Sequence, residues 1–387
     1  MKIGTKIEIG SNVRNIDRID CGLGAPVRVI ANIGVTFETD SIDKELDKAK
    51  RAFEAGADIV TDHSVAGDIE SIHKRLLSAF RCPISTVSIY EAYVNAKLKN
   101  KGYFDPDNAI KTFEKQASEG FDLITLHATI LKEDLPRIAH SKRIIPIASR
   151  GGTMMADLMI ENNIENPYWT YFEDILEIAK KYRTSLSLGT AFRPASILDL
   201  PDFLYKVEIK RMGALVKKAL KNNVGIMVEG IGHARLDYIP RMVKEAKRIT
   251  YGVPYRVLCV ACDSALYRDH IASAIASAVA VAAGADVISA VTRSEHVRRP
   301  TINDVIEAVE TAKIAAHCGD IVRRGNLQID KEISIRRNKT TCLARGAPTL
   351  LQRPKELVKD YTCTMCGPYC ALRIMRKIKK VESKIAV

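Results

Sequence analysis

Short runs of β-branched and other apolar residues alternate with amphipathic stretches along most of this chain. Continuous apolar strands separated by helices are typical of a parallel sheet that is covered on both faces. Eight or nine such units in about 300 residues favour an α/β fold whose sheet closes into a (β/α)8 barrel over an open, doubly wound sheet. The strand-like runs, one more than a barrel needs, are Val27–Ile33, Asp58–Thr61, Ile84–Ile89, Leu123–His127, Ile144–Ala148, Ser185–Leu188, Gly225–Glu229, Val257–Cys262 and Val287–Val291.

Composition divides the chain into three parts. Residues 1–26 form an N-terminal lead-in, and residues 27–320 carry the alternating strand and helix patterns. From 321 to 387 the sequence becomes polar and basic and contains turn signals, so we expect a small, mostly helical C-terminal extension. With 387 residues, of which 47% are hydrophobic, the chain can bury a large core, and disorder is excluded as its main state.

Several features predict a cytoplasmic protein. The longest apolar stretch, residues 271–291, is interrupted by Gly284 and Asp286 and consists mostly of Ala and Ser, so we expect no membrane-spanning helix. No basic segment followed by an apolar one opens the chain, as a secretory leader would. The nine cysteines are odd in number and scattered, which does not suit the disulfide framework of a secreted protein.

The formal net charge of +13 predicts a negatively charged partner, which could be nucleic acid, anionic lipid or a phosphorylated small molecule. Part of the excess lies in Ala371–Val387, where six cations accompany one anion, and this segment is better explained as a solvated basic tail. No recognisable nucleic-acid-binding module accompanies it, and aromatic residues make up only 6% of the chain. Platforms for base stacking are therefore scarce, and we do not expect a nucleic-acid partner.

Polar residues follow the predicted strands, and in a barrel these strand ends meet at one mouth, where the chemistry of such folds is located. The residue types there, mainly His, Tyr, Arg, Asn and Glu, suit hydrogen bonding and metal ligation, although any one of them could be a structural cap. The positions are Asn32, Asp62, His63, Tyr90, His127, residues 149–152, Arg193, residues 229–233, Asp263, Glu295 and His296.

The segment Ser149-Arg150-Gly151-Gly152 has the composition of a phosphate-binding loop. Its two glycines would let backbone N–H groups approach an oxyanion, which the guanidinium could bind through two hydrogen bonds. Arg193 could add a second cation. The alternative interpretation is a tight turn that happens to contain an arginine.

His233 and His296 each follow a late strand, and a barrel places these strands side by side. Two neutral imidazoles that converge at the mouth could hold a divalent metal and leave coordination positions open for a substrate. Each histidine taken alone is better explained by packing in the core or by exposure on the surface, so the prediction depends on the pair.

Three cysteines within eight residues, Cys363, Cys366 and Cys370, form the strongest local signal. Three thiolates at this spacing suit a [4Fe–4S] cluster in which one iron lacks a protein ligand, and such an iron can bind the amino and carboxylate groups of S-adenosylmethionine. One alternative is a structural zinc site, which would need a fourth ligand such as Cys342. A disulfide is the other.

Ten short motifs together resemble one known family, the phosphomethylpyrimidine synthase (ThiC) family of thiamin biosynthesis. They occur in the order and at the spacing typical of that family, from about Val27 to Cys370. The motifs are ANIG (Ala31–Gly34), SIYEA (Ser88–Ala92), TLHA (Thr125–Ala128), SRGGTMMA (Ser149–Ala156), SLSLG with FRPAS (Ser185–Ser196), VEGIGH (Val228–His233), DHIASAI (Asp269–Ile275), VTRSEH (Val291–His296), KIAAH (Lys313–His317) and CTMCGPYC (Cys363–Cys370).

The resemblance implies a (β/α)8 barrel whose C-terminal extension carries a [4Fe–4S] cluster and reaches the barrel mouth of a partner subunit, so a homodimer is expected. It implies a radical S-adenosylmethionine lyase that rearranges 5-aminoimidazole ribotide into 4-amino-5-hydroxymethyl-2-methylpyrimidine phosphate by means of a 5′-deoxyadenosyl radical. The sequence leaves the electron donor unidentified.

The resemblance also implies a role for individual residues. Cys363, Cys366 and Cys370 would ligate the cluster, and His233 and His296 would hold zinc, or another divalent metal, near S-adenosylmethionine. One further contact of the family is a tyrosine. Counting residues from Asp263 aligns it with Tyr255, which is the alignment that we prefer, and counting from His233 aligns it with Arg256. The full set of ribotide contacts would be Asn32, Thr61, Tyr90, His127, Ser149, Arg150, Gly151, Arg193, Glu229 and Tyr255.

The chain departs from the family pattern at several points. Three residues separate the last two cluster cysteines where the family has four. Thr61 replaces a methionine, Thr190 and Ala191 replace an Asp-Gly pair, and residues 265–268, which include Tyr267 and Arg268, replace a Pro-Gly-Tyr loop. The phosphate contacts are kept while contacts near the reacting ring are altered.

We therefore also consider a relative that makes another product from a related ribotide, such as a hydroxybenzimidazole. A non-catalytic, metal-binding protein associated with nucleic acid is the alternative from a different class.

Overall fold

Eight parallel strands close into a barrel in the computed structural model of this chain, which describes residues 5–38, 40–99, 102–199, 202–340, 349–351 and 365–385. The strands of the described residues are β1 (Lys6–Ile9), β2 (Ile19–Gly22), β3 (Arg28–Ile33), β4 (Ile59–Asp62), β5 (Ile84–Val87), β6 (Leu123–Leu126), β7 (Ser185–Leu188), β8 (Ile226–Gly230), β9 (Tyr255–Val257) and β10 (Val287–Ser289). Around the barrel the order is β10-β3-β4-β5-β6-β7-β8-β9, and β1 and β2 form a separate antiparallel hairpin.

Helices follow most of the barrel strands and surround the sheet. They are α1 (Ile42–Ala55), α2 (Ile69–Ala79), α3 (Ser88–Val94), α4 (Pro106–Glu119), α5 (Leu135–Ala139), α6 (Arg150–Asn162), α7 (Pro167–Thr170), α8 (Phe172–Tyr182), α9 (Phe203–Lys221), α10 (Ile239–Ile249), α11 (Asp269–Ala282), α12 (Ile302–Arg324), α13 (Gln328–Thr340) and α14 (Ala371–Ile385).

The prediction of an α/β fold with a (β/α)8 barrel is confirmed. The superfluous run among the nine predicted strands is Ile144–Ala148, which contains no strand. The backbone N–H groups of Ile144 and Ile145 donate to the carboxylate of Asp199, at 2.7 and 2.9 Å, and so they are not available to a neighbouring strand. The predicted strand Val257–Cys262 is displaced, since β9 ends where that prediction begins.

Local sequence signals set the ends of the barrel helices. α1 ends at Gly56, whose φ of 107° lies in the left-handed region that glycine adopts without steric cost. α4 begins after Asp105, whose side chain accepts the N–H of Asp107, and Pro106 occupies the first helical position, where its missing N–H is not needed. Such signals keep the helices short enough to return the chain to the next strand.

The β1–β2 hairpin covers the amino-terminal end of the barrel. Its side chains Ile7, Ile9 and Cys21 pack in one buried apolar cluster with residues of the barrel strands, among them Ile30 and Leu123. This end of the barrel is therefore closed by apolar side chains. A polar ligand can bind at the opposite end, where the strands are followed by polar residues.

Asp122 joins the segment between β1 and β2 to the barrel. Its carboxylate accepts the N–H of Ser11 at 2.8 Å and the N–H of Ile84 at 2.9 Å, and it pairs with Arg14. Asp122 is fully buried, and these donors compensate for the loss of its hydration. Residues 5–26 of the lead-in thus belong to the same compact unit as the barrel.

The chain divides into two compact units, Met1–Arg323 and Arg324–Val387. In the second unit, the Arg376 guanidinium of α14 donates to the carbonyl oxygen of Lys339 in α13, at 3.1 Å. In the part of the chain that the structure describes, no helix combines the length and the apolar character that crossing a membrane requires.

Candidate active site

A cavity of about 340 Å³ opens at the carboxyl-terminal ends of the barrel strands. The loops that follow the strands meet there, as the fold requires. Seven of the residues predicted to contact a substrate line this cavity, together with His63 and Glu295 from the same strand-end pattern. The seven are Asn32, Tyr90, His127, Ser149, Arg150, Arg193 and Glu229.

Two further predicted contacts, Gly151 and Thr61, do not line the cavity. A Cβ atom at Gly151 would overlap the ring of His127, so the glycine makes room for that ring. Thr61 is fully buried in β4, where it pairs in register with Asn32 of β3. Gly151 therefore shapes the cavity through the His127 ring, whereas Thr61 faces the barrel interior on the same side of the sheet as Asn32.

The segment Ser149–Gly152 begins helix α6 and is not a loop after a strand, which corrects the prediction. The Ser149 hydroxyl accepts the N–H of Gly152 at 3.2 Å and caps the helix. N–H groups in the first turn of a helix lack intrahelical partners, and the helix dipole adds partial positive charge there. The Arg150 guanidinium lies over the ring of Tyr90, with its carbon 4.6 Å from the ring centre. This end of the cavity suits a phosphate group.

Cations outnumber carboxylates in the cavity wall, although Arg298 and Arg299 are paired with carboxylates. The Arg193 guanidinium donates to the carbonyl oxygen of Thr190 at 2.9 Å, which holds it at the wall. Arg298 and Arg299 also line the cavity and were missed from the sequence, although they follow His296 closely and so lie just after the last strand. Their position after a strand end was the signal that could have identified them.

Strand β9 directs Arg256 into the cavity and Tyr255 to the outer side of the sheet, because side chains alternate along a strand. Arg256 is buried and donates to Glu229 at 2.8 Å and to Ser289 at 2.7 Å. Tyr255 packs behind Gly230, where a Cβ atom would overlap its hydroxyl. The prediction that Tyr255 contacts the substrate is therefore corrected: Arg256, given by the alternative count, occupies that position in the wall.

Two histidines of the cavity wall are neutral because of their surroundings. Burial, together with the charges of Arg193 and Arg256, lowers the pKa of His127 to about 3. Burial and the charges of Arg150 and Arg256 hold the pKa of His63 well below its usual value. A neutral imidazole has one donor and one acceptor nitrogen, so both rings can bind a substrate through either kind of hydrogen bond.

Three polar atoms of the cavity wall are buried without a hydrogen-bond partner among the described residues. They are Nδ1 of His127, Oδ1 of Asn32 and Oγ1 of Thr125. An unsatisfied buried polar atom costs about 1–3 kcal/mol, so three of them in one wall indicate a ligand that supplies the partners. A ligand with several N–H or O–H groups at its inner end would do so.

A buried carboxylate that the sequence did not reveal holds the loop after β7. Glu208 of α9 accepts the N–H groups of Ala191 at 2.7 Å and Phe192 at 2.9 Å, and the hydroxyls of Thr129 at 3.0 Å and Thr190. Burial raises the pKa of Glu208, although these donors oppose the shift. Thr190 and Ala191 replace the family's Asp-Gly pair. Both donate hydrogen bonds to the buried Glu208 carboxylate, which holds them in place.

The two predicted metal ligands meet beside the cavity. The ring centroids of His233 and His296 are 5.1 Å apart. Nδ1 of His233 lies 2.6 Å from Asp263, and Nδ1 of His296 lies 2.9 Å from Asp269. A carboxylate on one ring nitrogen orients the imidazole and leaves the other nitrogen for a metal. Asp263 was marked by the strand-end pattern, whereas Asp269 was missed.

The donor set at the histidine pair suits an open metal site. In the described ranges, no group of three or more His, Cys, Asp or Glu side chains is close enough to enclose a metal ion. Two imidazoles would leave the remaining coordination positions of a metal to other ligands, whereas a structural zinc site uses four protein ligands. Burial lowers the pKa of His233 despite the opposing charge of Asp263, which favours the neutral, ligating form.

The predicted cluster ligands are only partly described. Cys363 lies outside the described residues, and so does Cys342, the alternative zinc ligand. Cys366 is exposed, and Cys370 immediately precedes α14. Backbone N–H groups of the first turn of α14 and the charges of Arg373 and Arg376 lower the pKa of the Cys370 thiol. This favours the thiolate, the form that ligates iron.

Comparison with known proteins gives one consistent result. The model of the radical SAM ThiC family matches residues 2–377. The phosphomethylpyrimidine synthase of Pyrobaculum aerophilum is 36% identical over 368 residues, which cover 92% of this chain and 85% of that protein. Phosphomethylpyrimidine synthase 1 of Saccharolobus solfataricus is 38% identical over 380 residues, covering 94% of this chain and 87% of that protein.

A relative with a different name is as similar. The 5-hydroxybenzimidazole synthase BzaA of Eubacterium limosum is 36% identical over 392 residues, covering 98% of this chain and 92% of that protein. Sequence identity alone therefore does not separate the two kinds of relative.

Proposed function

The chain belongs to the radical SAM ThiC family, and from this premise we propose that it converts 5-aminoimidazole ribotide into 4-amino-5-hydroxymethyl-2-methylpyrimidine phosphate. The observation that carries the proposal is the cavity itself: seven of the predicted substrate contacts line one cationic pocket at the barrel mouth. Phosphomethylpyrimidine synthases among the relatives support the same reaction.

The polarity of the cavity matches the two ends of a ribotide. The start of α6, with Arg150, supplies N–H groups and positive charge for a phosphate group. Deeper in the wall, Asn32, Thr125 and His127 present neutral polar atoms that lack partners. An aminoimidazole ring and ribose hydroxyls carry the donors and acceptors that these atoms need. We therefore place the phosphate at α6 and the ring toward the barrel interior.

The residues of the wall bind and orient the substrate and exclude water from it. Arg256 holds the Glu229 carboxylate at 2.8 Å, so that carboxylate stays in place as an acceptor for ribose hydroxyls. The neutral rings of His63 and His127 can donate or accept hydrogen bonds to the substrate. The apolar closure of the opposite barrel end keeps bulk water from the reacting groups.

Membership in a radical SAM family implies S-adenosylmethionine and an iron–sulfur cluster as cofactors. We assign the cluster to Cys363, Cys366 and Cys370; the lowered pKa of the Cys370 thiol supports this assignment. When bound, a [4Fe–4S] cluster with one open iron supplies the electron for reductive cleavage of S-adenosylmethionine. In this chain three residues separate Cys366 and Cys370, and the cluster would have to bind across this shorter spacing.

We assign a divalent metal, zinc in the first instance, to His233 and His296. The carboxylates of Asp263 and Asp269 support the assignment because they orient both rings. A metal held by two imidazoles keeps positions open and would act as a Lewis acid toward a carboxylate or hydroxyl ligand.

The resemblance to the family further leads us to propose a homodimer in the cytoplasm. The C-terminal unit Arg324–Val387 would then carry the cluster. Gel filtration with light scattering of the full chain tests the oligomeric state: a dimer of two 42.8 kDa chains is expected, and a monomer at all concentrations would contradict it.

A second candidate product, a hydroxybenzimidazole, is favoured by one observation. BzaA is as similar to this chain as the phosphomethylpyrimidine synthases are. Thr61, Tyr267 and Arg268 are among the positions at which this chain departs from the family pattern.

One experiment separates these functions. The protein is purified and reconstituted without oxygen, reduced, and given S-adenosylmethionine and 5-aminoimidazole ribotide. We expect 5′-deoxyadenosine and the pyrimidine phosphate, identified by mass spectrometry. A benzimidazole product would select the second candidate, and cleavage of S-adenosylmethionine without any product from the ribotide would contradict both.

A further inference from the structure

A buried cluster of charged side chains lies behind the cavity wall, between strand β4 and helices α2, α3 and α4. At its centre is His73 of α2, which is 1% exposed. Its Nε2 lies 3.3 Å from Asp62, and its Nδ1 lies 3.3 Å from Glu119 and 3.9 Å from Glu91. The ring of Phe121 packs against it edge to face, with centroids 4.7 Å apart. One imidazole thus faces three carboxylates.

The charges around His73 come from every element packed against it. Lys115 of α4 contacts Glu91 at 2.7 Å, Glu119 at 3.6 Å and the exposed Glu70 of α2 at 3.8 Å. Among the described residues, Lys115 is the one other cation in contact with these carboxylates. Without a proton on both nitrogens of His73, buried Asp62 would have no cationic partner within the cluster.

The surroundings favour the charged form of His73. Burial lowers its pKa, but the carboxylates of Asp62, Glu119 and Glu91 outweigh burial and raise the pKa to about 9. The ring is therefore an imidazolium at neutral pH, and it can donate from both nitrogens at once.

Two of the three carboxylates are next to cavity residues in the sequence. Asp62 precedes His63, and Glu91 follows Tyr90. Because neighbouring residues of a strand end face opposite sides, Asp62 faces the helices while His63 lines the cavity. The rings of His63 and Tyr90 meet edge to face with centroids 5.5 Å apart. A single cation therefore contacts the residues behind both members of this ring pair.

We propose that His73 is a positioning residue: its imidazolium binds Asp62 of β4 and Glu119 of α4 and lies 3.9 Å from Glu91 of α3. It thereby helps to fix His63, which follows Asp62, and Tyr90, which precedes Glu91, in the cavity wall. Tyr90 in turn lies under the Arg150 guanidinium, so the cluster acts on the end of the cavity that receives phosphate. The inference deepens the proposed function, because it adds a residue outside the cavity to the machinery that binds the phosphorylated substrate.

The first test is histidine NMR on the full chain labelled with ¹³C-histidine, with His73→Gln used for assignment. We expect the His73 signal to titrate near pH 9, as its raised pKa requires. The His63 signal should shift in the same transition, although His63 itself does not ionise there, and this shift should be absent in His73→Gln. Titration of His73 at its ordinary value of about 6.5, or a His63 signal unmoved by it, would overturn the proposal.

The second test measures binding of ribose 5-phosphate by calorimetry at about pH 7 and about pH 10, on either side of the His73 transition. His73→Gln should bind about tenfold more weakly than wild type at the lower pH and equally at the higher one. His73→Gln keeps Tyr90 and Lys115. Any pH dependence of binding that comes from their titration is therefore the same in both proteins and cancels in the comparison. Phe113→Leu, a core change on α4, should lower stability and leave binding and its pH profile unchanged.

Equal affinities of His73→Gln and wild type at the lower pH would overturn the proposal. A loss of affinity in Phe113→Leu as large as the loss in His73→Gln would overturn it as well. If wild type binds no ribose 5-phosphate at either pH, the proposed function fails, whereas the NMR titration still decides the role of His73.

Discussion

His63 and His73 lie on opposite sides of the same section of barrel wall, and their surroundings differ in sign. Arg150 and Arg256 stand near His63 and, with burial, hold its pKa well below the usual value. Carboxylates surround His73 and raise its pKa to about 9, although burial lowers it there too. Burial alone therefore does not decide the charge of a histidine; the sign of its neighbours does. The wall separates a cationic pocket from an anionic layer of helices.

Replacing His73 with leucine should produce the largest effect on stability. Among the described residues, the change removes the one cationic partner of buried Asp62, which keeps only the N–H and hydroxyl of Ser64, and breaking such a buried pair costs about 3–5 kcal/mol of unfolding free energy. Urea denaturation near neutral pH measures the loss. His63→Leu is the matched control, expected to cost less than about 1 kcal/mol because His63 is neutral. Equal losses in the two variants would mean that the wall does not separate the charges as described.

The stability that His73 contributes should depend on pH in a defined direction. Its pKa is raised on folding from 6.5 to about 9, so its contribution is complete below about pH 6.5 and disappears as the pH rises through about 9. A shift of this size corresponds to about 3 kcal/mol. Denaturation curves of wild type and His73→Gln should converge toward high pH. Curves that stay parallel between these limits would contradict the charged state of His73.

On the cationic side, Arg150→Met should weaken substrate binding. A hydrogen bond to a charged group contributes about 1.5–3 kcal/mol, so we expect KM for the ribotide to rise about 10–100-fold with a smaller change in kcat. Arg51→Met removes an exposed arginine of α1 and should leave both constants unchanged. A fall in kcat with an unchanged KM would place Arg150 in the chemical step and not in phosphate binding.

Asp269→Asn should weaken metal binding at the histidine pair. The Asp269 carboxylate orients His296, and removal of such a partner costs roughly 10–100-fold in metal affinity. Competition with a chromophoric chelator measures the zinc affinity. Asp237→Asn changes an exposed aspartate that pairs with Arg235 and serves as the control. If zinc affinity is the same in both variants, His296 does not need the carboxylate.

The smallest effect is expected at the loop after β7. Thr190→Val removes one of the donors to Glu208 and should cost about 1 kcal/mol of unfolding free energy. Thr184→Val removes a hydroxyl that donates to the Phe121 carbonyl, at the other end of β7, and should cost a similar amount. Only the first variant should also raise KM, because its loop borders the cavity. A KM increase in both would mean that general loosening is responsible.

The barrel and most of the cavity were predictable from the sequence, because apolar strands of a parallel sheet and the polar residues that follow them are local patterns. Asn32, Tyr90 and His127 could be identified in this way. Tyr255 and Arg256 show the limit: a difference of one residue in counting moves a side chain to the other face of the sheet, and the apolar pattern of β9 does not fix the count.

The residues behind the wall were not predictable for a different reason. His73 occupies a buried position of α2, between Ile72 and Leu76, so its place in the helical pattern is that of a core residue. Glu208 is likewise buried within α9. Their function depends on partners that lie far away in the chain, such as Glu119 for His73, and a single sequence does not contain those pairings.

The hairpin at the amino-terminal end of the barrel limits how substrate enters the cavity and how products leave it. Ile7, Ile9 and Cys21 leave no exit through that end in the part of the chain that the structure describes. Substrate entry and product release must therefore both take place through the mouth at the carboxyl-terminal ends of the strands.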